Sequence, residues 1–279
     1  MSKAVACLKA GMAGILALAP TSAPASAGAS GMGPAAIAAT GSRAAGTERR
    51  DALWRLIHDG CIPAAARGAY PPAPCAEVDR AQGYAILKDR RGRFQYLLLP
   101  LARITGIESP ALLAAGAPDV FADAWRARLY VEAALHRSVP REDLALAVNS
   151  AEGRTQDQLH VHIDCLRPDV RDALRRFLPS LTRQWRPLPA PLPPARHAYL
   201  ARWVDGDALT VNPFASLAAA LPAGDRMGRH SLVVAGARGT DGRAGFILLS
   251  GRADARRGDR GSGDELLDLD CAAAGRSSP

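Results

Sequence analysis

The chain has no run of lysines and arginines interleaved with aromatics, and Phe, Trp and Tyr together make up only 5% of it. A nucleic-acid surface needs cations that follow the phosphates and rings that stack on bases. The net charge of +8 is therefore not read as a nucleic-acid footprint, because arginine is spread throughout an alanine-rich chain. No apolar stretch reaches the roughly 20 residues of a membrane-spanning helix. No repeat has a period that marks a solenoid. Cysteine is scarce, with five in 279 residues.

Hydrophobic residues make up 48% of the chain and charged residues 22%, a balance that supports one globular unit and excludes wholesale disorder. The N-terminus has the layout of a secretory leader. Lys3 and Lys9 supply positive charge, Gly11 to Ala19 is a short apolar run, and Ala25-Ser26-Ala27 is a small-residue cleavage pattern. Residues 1–27 are thus expected to be a signal peptide or a retained N-terminal anchor. The protein is expected to be exported, either periplasmic or attached to the inner membrane facing the periplasm. Cys7 precedes the apolar run and is not read as a lipidation site. Residues 28–47 are Gly, Ala, Ser and Thr with few bulky apolar groups, and predict a flexible tether.

Four cysteines remain after export: Cys61, Cys75, Cys165 and Cys271. An even count in an oxidising compartment favours disulfides, and three pairings are possible. Cys61 and Cys75 bracket a Pro- and Ala-rich stretch that has little else to hold it, which favours their bridge and leaves Cys165 for Cys271. The second, long loop would contribute ~4–5 kcal/mol on chain-entropy grounds.

A catalytic domain is expected over 48–250. Leu53, Trp54, Leu56 and Ile57 predict a short helix over Asp51 to Ile57, with a stop at Gly60. Gly83 to Leu87 and Arg93 to Leu99 predict a hairpin around a charged turn that ends in Gly92. From Pro118-Asp119 onward, Phe121, Trp125, Leu129 and Ala133 recur every fourth residue and predict one long helix packed on the sheet. Strands follow over Leu144 to Val148 and Leu159 to Leu166, then a helix over Asp169 to Phe177 and an extended connector over Pro187 to Pro194. The second half repeats the order: strand His197 to Val204, helix Pro213 to Leu221, and a hairpin of Ser231 to Ala235 with Phe246 to Ser250. Two packed halves, an internal pseudo-dimer, are a further expectation. Residues 251–279, charged and rich in glycine, predict a loose tail pinned by Cys271.

The chemistry concentrates around Gln158-Leu159-His160-Val161-His162-Ile163. Alternate residues of a strand share a face, so Gln158, His160, His162 and Asp164 line one side while Leu159, Val161, Ile163 and Cys165 enter the core. A neutral imidazole can attack phosphorus, and a neighbouring one can hold or protonate a phosphate oxygen. Two alternating histidines are equally the polar face of an ordinary half-exposed strand. The preceding loop adds Asn149, Ser150, Thr155 and Gln156, with Gly153 allowing close backbone approach, and these are the donors of a phosphate cradle or plain turn residues.

Thr155 through Ile163 resembles the histidine-triad motif of alternating histidines and apolar residues. The continuation Asp164-Cys165-Leu166-Arg167-Pro168-Asp169-Val170-Arg171 is similar to bacterial CDP-diacylglycerol pyrophosphatases. So are Pro74 to Val78, Gly83 to Asp89, Gln95-Tyr96-Leu97-Leu98, Gly106 to Pro110 and His197 to Arg202, and the resemblance spans roughly residues 49–250. It implies an α+β fold, a histidine-triad (HIT)-like antiparallel sheet with packed helices. The implied reaction is hydrolysis of CDP-diacylglycerol at a membrane surface to CMP and phosphatidate, through a nucleotidyl-histidine, without metal or other cofactor. The carry-over makes His160 the nucleophile and His162 the phosphate partner, with Asn149, Thr155 and Gln156 in the phosphate loop. Gln158 stands where the family has its first histidine; it keeps hydrogen-bonding ability but cannot become a cation. Whether the protein is a monomer or a homodimer is left open.

Two rivals stand beside this reading. His-x-His on a strand also presents two metal ligands, with Asp164, His197 or His230 as a third for a metal-dependent phosphohydrolase. The glutamine at 158 also allows a non-catalytic nucleotide- or lipid-binding envelope protein.

Overall fold

The computed structural model describes residues 48–272, so the expected leader over 1–27 and tether over 28–47 lie outside the described residues. Ten strands are present among them: β1 (Glu77–Asp79), β2 (Tyr84–Lys88), β3 (Tyr96–Pro100), β4 (Leu144–Val148), β5 (Val161–Leu166), β6 (Arg186–Pro187), β7 (Tyr199–Asp205), β8 (Leu232–Arg238), β9 (Ala244–Gly251) and β10 (Leu267–Asp268). They form one sheet in the order β1-β2-β3-β5-β4-β8-β9-β7-β6, with β10 added beside β5, and every pairing is antiparallel. The architecture is α+β, as expected.

β4 and β5 are central and buried on both faces, which is why they read as near-continuous apolar runs. On one face, Leu146, Val161, Ile163, Val234 and Leu248 pack against Phe121 and Trp125 of α3 (Val120–Ala127). On the other, Ala145, Ala147, Leu166, Val233 and Leu249 meet Val170 and Leu174 of α5 (Pro168–Phe177). A third cluster packs Ile57 and Cys61 against Ala85, Leu87, Leu97 and Leu99 of the outer strands.

The first helix does not stop at Gly60. α1 (Ala52–Arg55) continues through a π-helical turn, Leu56–Cys61, into α2 (Ile62–Ala66). Pro63 follows the π-helical turn inside this continuous run, and Cys61 is bonded to Cys75, so buried Ile57 and Cys61 carry the helix past the glycine.

The long second helix is split at Arg128 into α3 and α4 (Leu129–Leu135). Asp119 caps α3, its side chain accepting from the Ala122 N–H. A four-residue spacing drifts about 40° per step on a 3.6-residue helix, so Leu129 has turned roughly 80° from Phe121. Leu129 is accordingly 57% exposed while Phe121 and Trp125 are buried. In the second half the helix after β7 is α6 (Pro213–Ala218), shorter than expected, with Asn212 accepting from the N–H groups of Phe214 and Ala215.

The loose tail is the main correction. Residues 251–272 are packed: Leu266 and Leu267 are buried, β10 pairs with β5, and Cys271 is bonded to Cys165. Polar composition misled because main-chain hydrogen bonds such as Ser150 to Gly261 and Arg167 to Leu266 tie the segment down, while two adjacent leucines pack into the core. Both disulfides pair as the spacing favoured, Cys61 with Cys75 and Cys165 with Cys271.

Candidate active site

β5 and the two extended residues before it deliver the histidines, His162 on the strand and His160 immediately ahead of it. Leu159, Val161 and Ile163 anchor one face of the strand in the core, which turns His160 and His162 to the other. Both are nearly buried, at 9% and 7% exposure, and their rings meet edge to face with centroids 4.9 Å apart. His160 Nδ1 lies 2.7 Å from the carbonyl oxygen of Gln158. A carbonyl only accepts, so Nδ1 carries the proton and Nε2 keeps its lone pair. Burial, reinforced by the neighbouring His162, pushes the His160 pKa down to about 4, so the ring is neutral at physiological pH.

His162 Nδ1 lies 3.1 Å from Gln95 Oε1, and its Nε2 is buried without a hydrogen-bond partner. Two carboxylates face this ring: Asp89, 3.9 Å from Nδ1, and Asp264, 4.0 Å from Nε2. Asp264 belongs to the segment taken from sequence as a loose tail, and that composition hid it.

The loop after β4 and the C-terminal segment are laced together beside the histidines. The Asp264 N–H donates to Asn149 Oδ1 at 3.2 Å, leaving the amide NH2 of Asn149 as a donor. The Ser150 N–H donates to the Gly261 carbonyl and its hydroxyl to that of Arg260. Gly153 is required by this approach: a Cβ there would come within 2.9 Å of Ser262 Oγ and 3.0 Å of the Arg260 and Gly261 carbonyls.

Of the remaining candidates, Gln158 lines a small cavity with Asn149 and His160, whereas Thr155 and Gln156 do not. Thr155 is exposed. Gln156 ties down the N-terminal helical segment, its Oε1 accepting from the Leu53 N–H and its Nε2 donating to the Arg49 carbonyl. The Gln158 side chain is fully buried and donates to the Pro100 and Ala102 carbonyls at 2.8 and 3.0 Å. These amides are engaged structurally and are not free for phosphate. Arg154 is likewise committed, bidentate to Glu108 at 2.7 Å with Asp157 at 3.1 Å, and Lys88 donates to the Asp89 and Gly92 carbonyls.

The third metal ligands considered from sequence do not join the pair. His197 is held by Glu265 at 2.9 Å, and His230 sits between Ser250 and Asp225, each at 3.1 Å. Among the described residues, the one set of three ligand-type atoms close enough to share an ion is Asp164 with Cys165 and Cys271, whose sulfurs are bonded to each other.

A CDP-diacylglycerol pyrophosphatase family model matches residues 48–275, so it covers the described fold including the C-terminal segment. A CDP-diacylglycerol pyrophosphatase of Yersinia pestis is 43% identical over 223 residues, which cover 79% of this chain and 84% of the relative. On both grounds the chain belongs to the CDP-diacylglycerol pyrophosphatase family.

Proposed function

We propose that the protein is a hydrolase that cleaves the pyrophosphate bond of CDP-diacylglycerol to CMP and phosphatidate, with His160 as nucleophile. Family membership supplies the substrate. The observation that carries the mechanism is the His160 Nδ1 contact with the Gln158 carbonyl, which leaves Nε2 as the free base. Nε2 attacks the nucleoside-side phosphorus, the bond to the bridging oxygen breaks, and phosphatidate leaves. Water then attacks the same phosphorus, the P–N bond breaks, CMP departs and the imidazole returns to its neutral form. His162 and the Asn149 amide NH2 stabilise the negative charge that develops on the phosphoryl oxygens.

The same reading takes the fold as histidine-triad-like and the two halves as an internal pseudo-dimer. In support, β3, a helical segment, β4 and β5 are echoed by β7, α6, β8 and β9, and the sheet runs β3-β5-β4 and then β8-β9-β7 about the antiparallel β4–β8 seam. Export to the periplasmic face, free or at the inner membrane, is supported by the leader pattern and suits two disulfides. No helix among the described residues is long and apolar enough to cross a membrane.

The test is His160→Ala assayed in detergent with CDP-diacylglycerol labelled in the nucleotide. Turnover should fall at least about 10³-fold, as for loss of other nucleophiles, and rapid quenching should label wild type but not the variant. Wild-type turnover by His160→Ala would refute the assignment.

A further inference from the structure

Gln95 directly precedes β3 and is 2% exposed, a buried amide next to a strand that carries three consecutive leucines. It bridges two residues that share a face of β5. Its Oε1 lies 3.1 Å from His162 Nδ1 and its Nε2 3.2 Å from Asp164 Oδ2. Asp164 is fully buried, and its other oxygen accepts the Cys165 N–H at 2.8 Å. An ionised carboxylate only accepts, so it turns the amide NH2 toward Asp164 and the amide oxygen toward His162. That oxygen also only accepts, so the His162 nitrogen facing it must be the one that bears hydrogen. The other nitrogen, Nε2, is left buried and unpartnered on the site side.

We propose that Gln95 is a positioning residue for the reaction: the Asp164–Gln95–His162 relay holds His162 as the Nδ1–H tautomer and presents Nε2 to the substrate phosphate. The inference rests on the reading of His160 and His162 as the phosphate-handling pair. With Nδ1 occupied, an added proton enters at Nε2, where N–H donates to a phosphoryl oxygen. Asp89, 3.9 Å from the same Nδ1, favours this tautomer and Asp264, 4.0 Å from Nε2, opposes it, both beyond hydrogen-bond distance, so the 3.1 Å contact with Gln95 decides. The sequence places Gln95 in the family-like segment Gln95-Tyr96-Leu97-Leu98 but gives it no role at the site.

The experiment uses full-length protein labelled with imidazole ¹⁵N, recorded by long-range proton–nitrogen correlation at pH 8. There Asp164, pushed up to about 7 by burial, is ionised. Wild-type His162 should show a single Nδ1–H pattern. Gln95→Met, near in volume but unable to make either bond, should give mixed tautomers and lower kcat about 10- to 100-fold, the usual reach of residues that orient a ligating or proton-handling histidine, with KM within about threefold. Gln95→Glu should restore the Nδ1–H pattern and much of kcat, because one proton shared with Asp164 replaces the lost donor. A wild-type Nε2–H pattern would overturn the proposal whether or not any variant folds. So would a Gln95→Met protein that keeps the Nδ1–H pattern and kcat within twofold. The tautomer readout is independent of turnover, so a fully active His160→Ala would remove the phosphate-pair reading without altering this result.

Discussion

The Nδ1 of His160 lies 2.7 Å from the carbonyl oxygen of Gln158, two residues before it in the chain. The contact is to main chain, so the side chain at 158 reaches His160 only through the position of that carbonyl. Glutamine at 158 is therefore compatible with the orientation of His160.

Gln158→His should change kcat/KM by less than about threefold at pH 7.5, since an imidazole N–H also donates toward the Pro100 or Ala102 carbonyl. Gln158→Leu leaves both carbonyls without that donor in a buried site and should lower unfolding free energy by about 1–3 kcal/mol. Urea titration and steady-state kinetics of the two variants check both statements. A large activity gain in Gln158→His would mean that the side chain, not the main chain, governs the site.

The pH profile follows from His160. Its folded pKa of about 4 lies below its ordinary value of 6.5, so the imidazole is neutral through the physiological range. The acid limb of kcat/KM, measured by initial rates in short assays, should fall near pH 4 and not near 6.5. Stability has the same sign: the unfolded ring takes up a proton first, so folding free energy declines as pH drops from 6.5 toward 4 and is unaffected by this group above 6.5. An acid limb near 6.5 would contradict the buried neutral imidazole.

Much of the fold was legible where one physical signal dominates. Leu144 to Val148 and the hairpin of β2 and β3 were read correctly because continuous apolar residues and a charged Gly turn have few other uses. The histidine pair was legible because strand alternation puts His160 and His162 on one face. What failed was long-range. The C-terminal segment looked loose because its anchors are main-chain bonds to residues about a hundred positions earlier, such as Ser150 to Gly261. Asp264 and Gln95 were missed for the same reason: each meets His162 only through the assembled sheet. Thr155, Gln156 and Gln158 have the right chemistry for phosphate, but the fold assigns the two amides to neighbouring main chain.

Cys165→Ser with Cys271→Ser should loosen this wall. The bridge closes a sequence separation of 106 residues and holds the segment bearing Asp264 against β5. Its loss should cost about 2–5 kcal/mol of stability and raise hydrogen exchange over 254–272. Activity should fall at temperatures where β10 remains native in the wild type. Equal exchange in both proteins would show that β10 pairing alone suffices.

Gly153→Ala probes the same wall from the loop side. The added methyl would meet Ser262 Oγ at 2.9 Å and two carbonyl oxygens at 3.0 Å, so loop and C-terminal segment must separate by some tenths of an ångström. The expected result is a loss of about 1–3 kcal/mol by thermal unfolding together with reduced kcat. An unchanged melting temperature would mean that the segment moves aside freely.

The wall also sets the order in which the site is enclosed. The proposed nucleophile is His160, but the carboxylate facing His162 is at 264 and the closing sulfur at 271. A ribosome that has finished β5 has made both histidines with Asp89, Gln95 and Asn149 beside them, but not the C-terminal wall that bears Asp264. Enclosure of the pair therefore waits for the segment from Asp264 to Cys271 to be synthesised, oxidised and docked against β5.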